Sequence, residues 1–75
     1  MKLEEIFAEV FAIPQSTVVD ALALEDISTW DSMAHMLLVV HLEETYKVQF
    51  TGDEIANIRS VRDVRFALTT RGVKV

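Results

Sequence analysis

Apolar residues near the start of the chain recur at Leu3, Ile6, Phe7, Val10 and Phe11. This i, i+3, i+4, i+7, i+8 spacing predicts a helix with one apolar stripe. Pro14 disfavours helical geometry in the residue before it, so the helix is expected to stop near Ile13. No period persists through "PQSTVVDALALEDISTW", residues 14–30. That stretch is read as a long ordered loop with a helical turn around Val18–Leu22, held in place by Val18, Val19, Leu22, Leu24, Ile27 and Trp30. A second helix is predicted from Ser32 to about Tyr46, with Asp31 as its N-cap. "KVQF" then reads as a short extended connection. Thr51 and Glu54 make a capping box, and Phe50 with Ile55 fits the accompanying hydrophobic staple. They open a short third helix carrying Ile55 and Ile58. Ser60 caps a fourth helix, "VRDVRFALTT", which ends before Gly72. Neither "KVQF" nor the terminal "GVKV" is long enough to pair stably as a strand. The pattern therefore predicts an all-α fold. It is a four-helix bundle of three principal helices and one short one, with a long first loop, and residues 1–75 form a single domain.

The second helix is the unusual element. At about 100° per residue, His35, Leu38, Val39, Leu42 and Tyr46 fall on one stripe, while Met33, Met36, Leu37, Val40, Glu43 and Glu44 fall on another. One stripe must face the other helices. On the second, Met33 and Leu37 are expected on the surface, while Met36 and Val40 lie where the third helix could meet them. Methionines and a leucine beside acidic residues make an adaptable apolar contact patch with a charged rim. Met36, Val40, Ile55 and Ile58 together suggest an apolar groove between the second and third helices.

Charge narrows the partners. The net charge is −5, and it is unevenly spread. Residues 1–56 hold eleven acidic residues against Lys2 and Lys47, whereas residues 57–75 hold five basic residues, among them Arg59, Arg62 and Arg65, against Asp63. Most of the chain repels nucleic acid and anionic membranes and attracts basic surfaces, so no nucleic-acid partner is expected. The acids of "LEEIFAEVF" favour a core helix over a membrane-surface one. No apolar run approaches the roughly 20 residues of a membrane span. With no Cys, disulfides and thiolate metal sites are excluded. A monomeric cytoplasmic protein without stable membrane insertion is the expectation.

Candidate chemistry gathers in "TWDSMAH", residues 29–35. Asp31, Ser32 and His35 invite comparison with a hydrolase triad, which needs His in contact with both Ser and Asp and an oxyanion hole facing the substrate. On the wheel, His35 turns about 60° away from Ser32 towards the core stripe, and no glycine-rich turn supplies the hole. His35 is instead expected to tie down the long loop, and Trp30 to anchor that loop in the core. Ser32 suits another task. A helix N-terminus offers unpaired N–H groups and the positive end of the dipole, which stabilise a phosphate attached there. A plain capping role for Ser32 stays open, as does an unmodified helical interaction module docking through Met33, Leu37 and Val40.

"WDSM" followed by "LLVVHLEETYKVQF", then "DEI" and "SVRDV", resembles the acyl carrier protein family over nearly the whole chain. That resemblance implies a four-helix carrier, not an enzyme, whose motif Ser bears 4′-phosphopantetheine, with an acyl or aminoacyl group held as a thioester on the thiol of that arm. Ser32 would be the attachment site and Asp31 its motif neighbour. Glu43 and Glu44 match the acidic pair that docks partner enzymes, and Val61 and Asp63 match the final-helix motif, with Val64 in place of its Leu. The implied partners are a phosphopantetheinyl transferase, an acyl- or aminoacyl-loading ligase and a downstream synthase or transferase.

Some positions depart from the family pattern. Met33 replaces the motif Leu, a volume-conserving change. Ala34 and Leu37 stand where fatty-acid carriers commonly have acids, which suggests a dedicated partner with a more apolar contact. D-alanyl carriers can have Asp-Ser-Met, so an aminoacyl cargo remains open. Residues 1–75 read as a free-standing carrier, though an excised synthase domain would look similar.

Overall fold

A computed structural model describes all 75 residues. The first helix, α1, spans Leu3–Phe11 and buries Leu3, Ile6, Phe7 and Phe11 along its stripe. The Glu5 carboxylate accepts the Lys2 amide at 2.7 Å, satisfying one orphan donor of the first turn. α1 ends where Ala12 takes a left-handed conformation, φ 55°. The Ile13 amide then reaches back to the Ala8 carbonyl at 3.1 Å, so the chain turns before Pro14 is reached.

The loop has more structure than predicted. The expected turn closes where the Leu22 amide donates to the Val19 carbonyl at 2.9 Å, and short 3₁₀ pieces at Gln15–Thr17 and Leu24–Asp26 lie on either side of it. The intervening backbone has other partners. The carbonyls of Asp20 and Leu22 accept the Arg62 and Val61 amides at 3.1 Å, and the Leu24 amide donates to Arg59 at 2.8 Å. Ala23 and Ser60 form an isolated antiparallel bridge. Hydrogen bonding to the start of the last helix thus fixes this turn and the extended Ala23 that follows it. Val18, Leu24 and Ile27 enter the core as expected, whereas Val19 stays exposed. Trp30 also departs from expectation: it is 39 % exposed, so burial is not what anchors it.

The second helix, α2, spans Ser32–Tyr46 and sends Leu38, Val39 and Leu42 into the core. It ends at Lys47, again left-handed, with φ 56°. One oxygen of the Glu43 carboxylate accepts the Phe50 amide at 2.9 Å, fixing the extended link that follows. The third helix, α3, spans Gly52–Asn57. It opens on the predicted capping box, in which Thr51 N–H donates to Glu54 at 2.8 Å and Glu54 N–H donates to Thr51 Oγ1 at 3.1 Å. The last helix, α4, spans Val61–Thr69, capped by Ser60, and buries Val61, Val64 and Leu68. The loop carbonyls described above take up its first amides, a supply that no local residue provides.

The buried core is wholly apolar and draws on α1, α2, α4 and the connecting segments, while α3 adds only the partly buried Ile55 that packs against it. Each fully buried side chain of this kind contributes about 1.5–3 kcal/mol relative to exposure. Charged ties close the periphery. Arg65 donates to Glu4 and Asp20, each at 2.8 Å, joining α4 to α1 and the loop. The guanidinium holds the Glu4 carboxyl below its usual range. Arg71 pairs with Glu54, donates to the Gln49 carbonyl and lies 4.9 Å over the Phe50 ring. Hydrogen bonds from Arg71, then from Thr51, pull the Glu54 pKa from 4.5 to about 2. Two of the five basic residues of the final segment are therefore turned inward, leaving Arg59, Arg62 and Lys74 exposed.

Candidate functional site at the start of the second helix

Asp31 has an extended backbone, and its carboxylate accepts the Ala34 amide at 2.7 Å. Its carbonyl accepts the His35 amide at 2.9 Å, the first bond of the helix. Ser32 is therefore the first residue of α2, exposed, with its own amide and that of Met33 finding no acceptor in the chain. A reachable hydroxyl beside two unpaired N–H groups at the positive end of a helix fits a tethered phosphodiester.

His35 is engaged elsewhere. Its Nε2 lies 2.8 Å from the Ile55 carbonyl, and its Nδ1 lies 3.1 Å from the indole nitrogen of Trp30. A carbonyl can only accept and an indole N–H can only donate. The ring is therefore the neutral tautomer, donating from Nε2 and accepting at Nδ1. Both nitrogens are spent, so neither can take a proton from Ser32, and a Ser–His nucleophile is not assembled. The ring instead ties the end of the loop to the first turn of α2 and the last turn of α3. This is the loop-securing role expected from its place on the wheel, and Trp30 joins it by a hydrogen bond and an edge-on contact.

The second stripe of α2 is uncovered. Met33 is 75 % exposed, Leu37 56 %, Met36 47 % and Val40 46 %. Met36 and Val40 do not become core, because α3 has six residues and spans about 9 Å, too little to cover the flank of α2. Glu44 is exposed at the far end of this surface, while Glu43 is half-buried and shares its carboxylate with Phe50. Of the four residues expected to form a groove, Ile58 is buried and Ile55 packs against the core, while Met36 and Val40 face outward.

The larger cavities lie around Ile58. One, of about 430 Å³, sits between α3 and α4 and includes Phe66 and Arg62. The other, of about 490 Å³, is walled by Trp30, His35, Leu24 and Ala56, with Glu25 and Arg59 among its lining. Neither includes Met36 or Val40. The Leu24, Glu25, Arg59 and Ser60 side of the second cavity escaped sequence reasoning, since the Ala23–Ser60 bridge that creates it joins residues far apart in the chain.

Comparison with known proteins places this geometry. Residues 2–65 match the family described as the phosphopantetheine attachment site. No match was found among curated proteins. Among solved structures, a protein from Mycobacterium tuberculosis assigned to the acyl carrier proteins superposes with a TM-score of 0.79 at 20 % identity, covering 93 % of this chain and 99 % of that one. The solution structure of a holo acyl carrier protein from Geobacter metallireducens superposes with a TM-score of 0.74 at 29 % identity, covering 97 % and 91 %. The first likeness speaks for the fold alone. The family match, which spans most of the chain, establishes the cofactor as covalently attached 4′-phosphopantetheine. With a helical bundle that starts its second helix on an exposed Ser, the chain belongs to the acyl carrier protein family, the proteins built on a phosphopantetheine attachment site.

Proposed function

We propose that Ser32 bears the 4′-phosphopantetheine arm and that residues 1–75 act as one monomeric, non-catalytic carrier unit. The arm presents acyl or aminoacyl intermediates, held as thioesters, to separate cytoplasmic enzymes. The observation that carries this reading is the exposed Ser32 hydroxyl, one residue after the Asp31 cap and inside the matched region. The arm supplies the thiol, which suits a chain with no Cys. Ser32 and Asp31 shape the attachment point. Met33, Leu37 and Val40, with Met36 between them, offer an apolar docking face to a phosphopantetheinyl transferase, a loading ligase and a downstream synthase or transferase. Glu44 and the remaining oxygen of Glu43 add a rim that favours basic partner surfaces. Ala34 and Leu37 leave the first turns of this face without acids, which favours partners with a more apolar contact.

The test is incubation with coenzyme A, Mg²⁺ and a broad-specificity phosphopantetheinyl transferase, followed by intact mass. The expected gain is that of coenzyme A less its 3′,5′-adenosine bisphosphate, absent in Ser32→Ala. No gain, or a gain that survives in Ser32→Ala, would remove this assignment in favour of an unmodified interaction module.

A further inference from the structure

Resting on the assignment of the arm to Ser32, we propose that Trp30, His35 and Ile55 form a clasp across the seam between α2 and α3. The clasp keeps acyl cargo at the surface and denies a long alkyl chain entry to the bundle, which suits the protein to short acyl groups. Both ring nitrogens of His35 are occupied, one by the Ile55 carbonyl at 2.8 Å and one by the Trp30 indole N–H at 3.1 Å. This joins three segments, the loop, the first turn of α2 and the last turn of α3, at the point nearest in sequence to the attachment Ser. A chain that passed between the helices would have to break the bond to Ile55, leaving Nε2 of the half-buried imidazole without a partner and the Ile55 carbonyl with only the Ile58 amide at 3.4 Å. Behind the clasp, Leu38, Val39, Leu42, Val61, Val64 and Leu68 are each at most 1 % exposed, so close packing leaves a guest chain to displace side chains.

The space that does adjoin the clasp has a different character. The cavity of about 490 Å³ walled by Trp30 and His35 also carries Glu25 and Arg59, which are both exposed and so stand at its rim. A long alkyl chain laid there would desolvate charges without pairing them. A short acyl group meets the Trp30 and His35 rings and leaves the rim in water. The partly exposed indole is thus a contact surface for cargo as well as one arm of the clasp.

The experiment loads acetyl-, octanoyl- and palmitoyl-coenzyme A onto the full chain with the same transferase, confirming each product by intact mass. Two readouts follow: retention on a hydrophobic-interaction column and melting temperature. With a closed seam, retention climbs with chain length, and the three forms melt within about 2 °C of one another. In His35→Ala, the palmitoyl form gains access, elutes earlier than its wild-type counterpart and melts more than about 5 °C above the acetyl form. Trp30→Phe keeps an aromatic ring but loses the indole donor. It should give a smaller shift in the same direction, and it serves as the test if His35→Ala loses its helical circular dichroism. Wild-type retention that ignores chain length, with melting temperature rising from acetyl to palmitoyl, overturns the proposal. So do variants that behave as wild type, since something other than the clasp would then keep the chain out. Failure of any coenzyme A derivative to add mass removes the Ser32 assignment itself, and the clasp proposal with it.

Discussion

Leu37 and Leu38 are chain neighbours of identical chemistry with opposite fates. Leu38 is fully buried, and Leu37 is more than half exposed. The same contrast runs along α2, where Leu38, Val39 and Leu42 face inward and Met33, Met36, Leu37 and Val40 face solvent. Hydrophobicity alone does not distinguish the faces. The difference is supply of partners: α1 and α4 contribute long apolar stripes to one side, whereas α3, which could cover the other, is six residues long and ends against His35. An apolar face left open beside an exposed helix-start Ser is the feature on which the proposed docking of partner enzymes rests.

The largest expected effect separates the two leucines directly. Leu38→Ala should lose about 2–5 kcal/mol of unfolding free energy, because it removes buried methyl groups and leaves a cavity. Leu37→Ala should change stability by less than about 0.5 kcal/mol while lowering kcat/KM for the phosphopantetheinyl transferase. Urea unfolding and transferase kinetics on both variants test the pair. Equal stability losses would mean that the outer face is packed after all.

A second prediction concerns how α3 is held. Its start is clipped by Arg71 to Glu54, whose pKa lies at about 2 in place of 4.5. A carboxyl with a lowered folded-state pKa stabilises the fold fully above its ordinary value and loses that contribution as pH falls towards the lowered one. Stability should therefore decline from about pH 4.5 towards pH 2, and the decline should be shallower in Glu54→Gln. Amide protection factors at residues 52–57, corrected for the intrinsic pH dependence of exchange, should fall over that range before those in α1 do. Parallel acid profiles for wild type and Glu54→Gln would show that the clip contributes nothing.

The smallest effect sits at the helix ends. α1 and α2 both terminate on a non-glycine residue with positive φ, Ala12 and Lys47, and a side chain there costs about 1–2 kcal/mol of steric strain. Ala12→Gly relieves it but loosens the unfolded chain, so a net gain of about 0.5 kcal/mol is expected. A lower denaturation midpoint in Ala12→Gly would show that the turn owes its shape to contacts of the Ala12 methyl group.

Legibility followed the range of the forces. The bounds of α2, Ser32 to Tyr46, could be read because Asp31 acts on an amide three residues away. The start of α3 could be read for the same reason, from Thr51 and Glu54. Where a segment's partners are distant, the reading failed. The turn closing at Leu22 was legible, but not the 3₁₀ pieces beside it, nor that the Asp20 and Leu22 carbonyls answer to Arg62 and Val61 some 40 residues on. Trp30 was expected in the core, yet it is held by one hydrogen bond at the surface. Glu43 was read only as a docking acid, although it also caps the link at Phe50.

By itself, then, the sequence determined the helices, the N-caps of the last three, the inward stripe of α2 and a Ser placed first on that helix. These rest on periodicity and on bonds spanning three or four residues, which any local stretch encodes. Only the tertiary structure decided that Met36 and Val40 stay bare beside Met33 and Leu37, that His35 spends both nitrogens on Trp30 and Ile55, and that Arg65 and Arg71 turn inward. Those outcomes depend on how far each helix extends over its neighbour and on which groups lie within hydrogen-bonding reach. Neither is visible until the chain is folded back on itself.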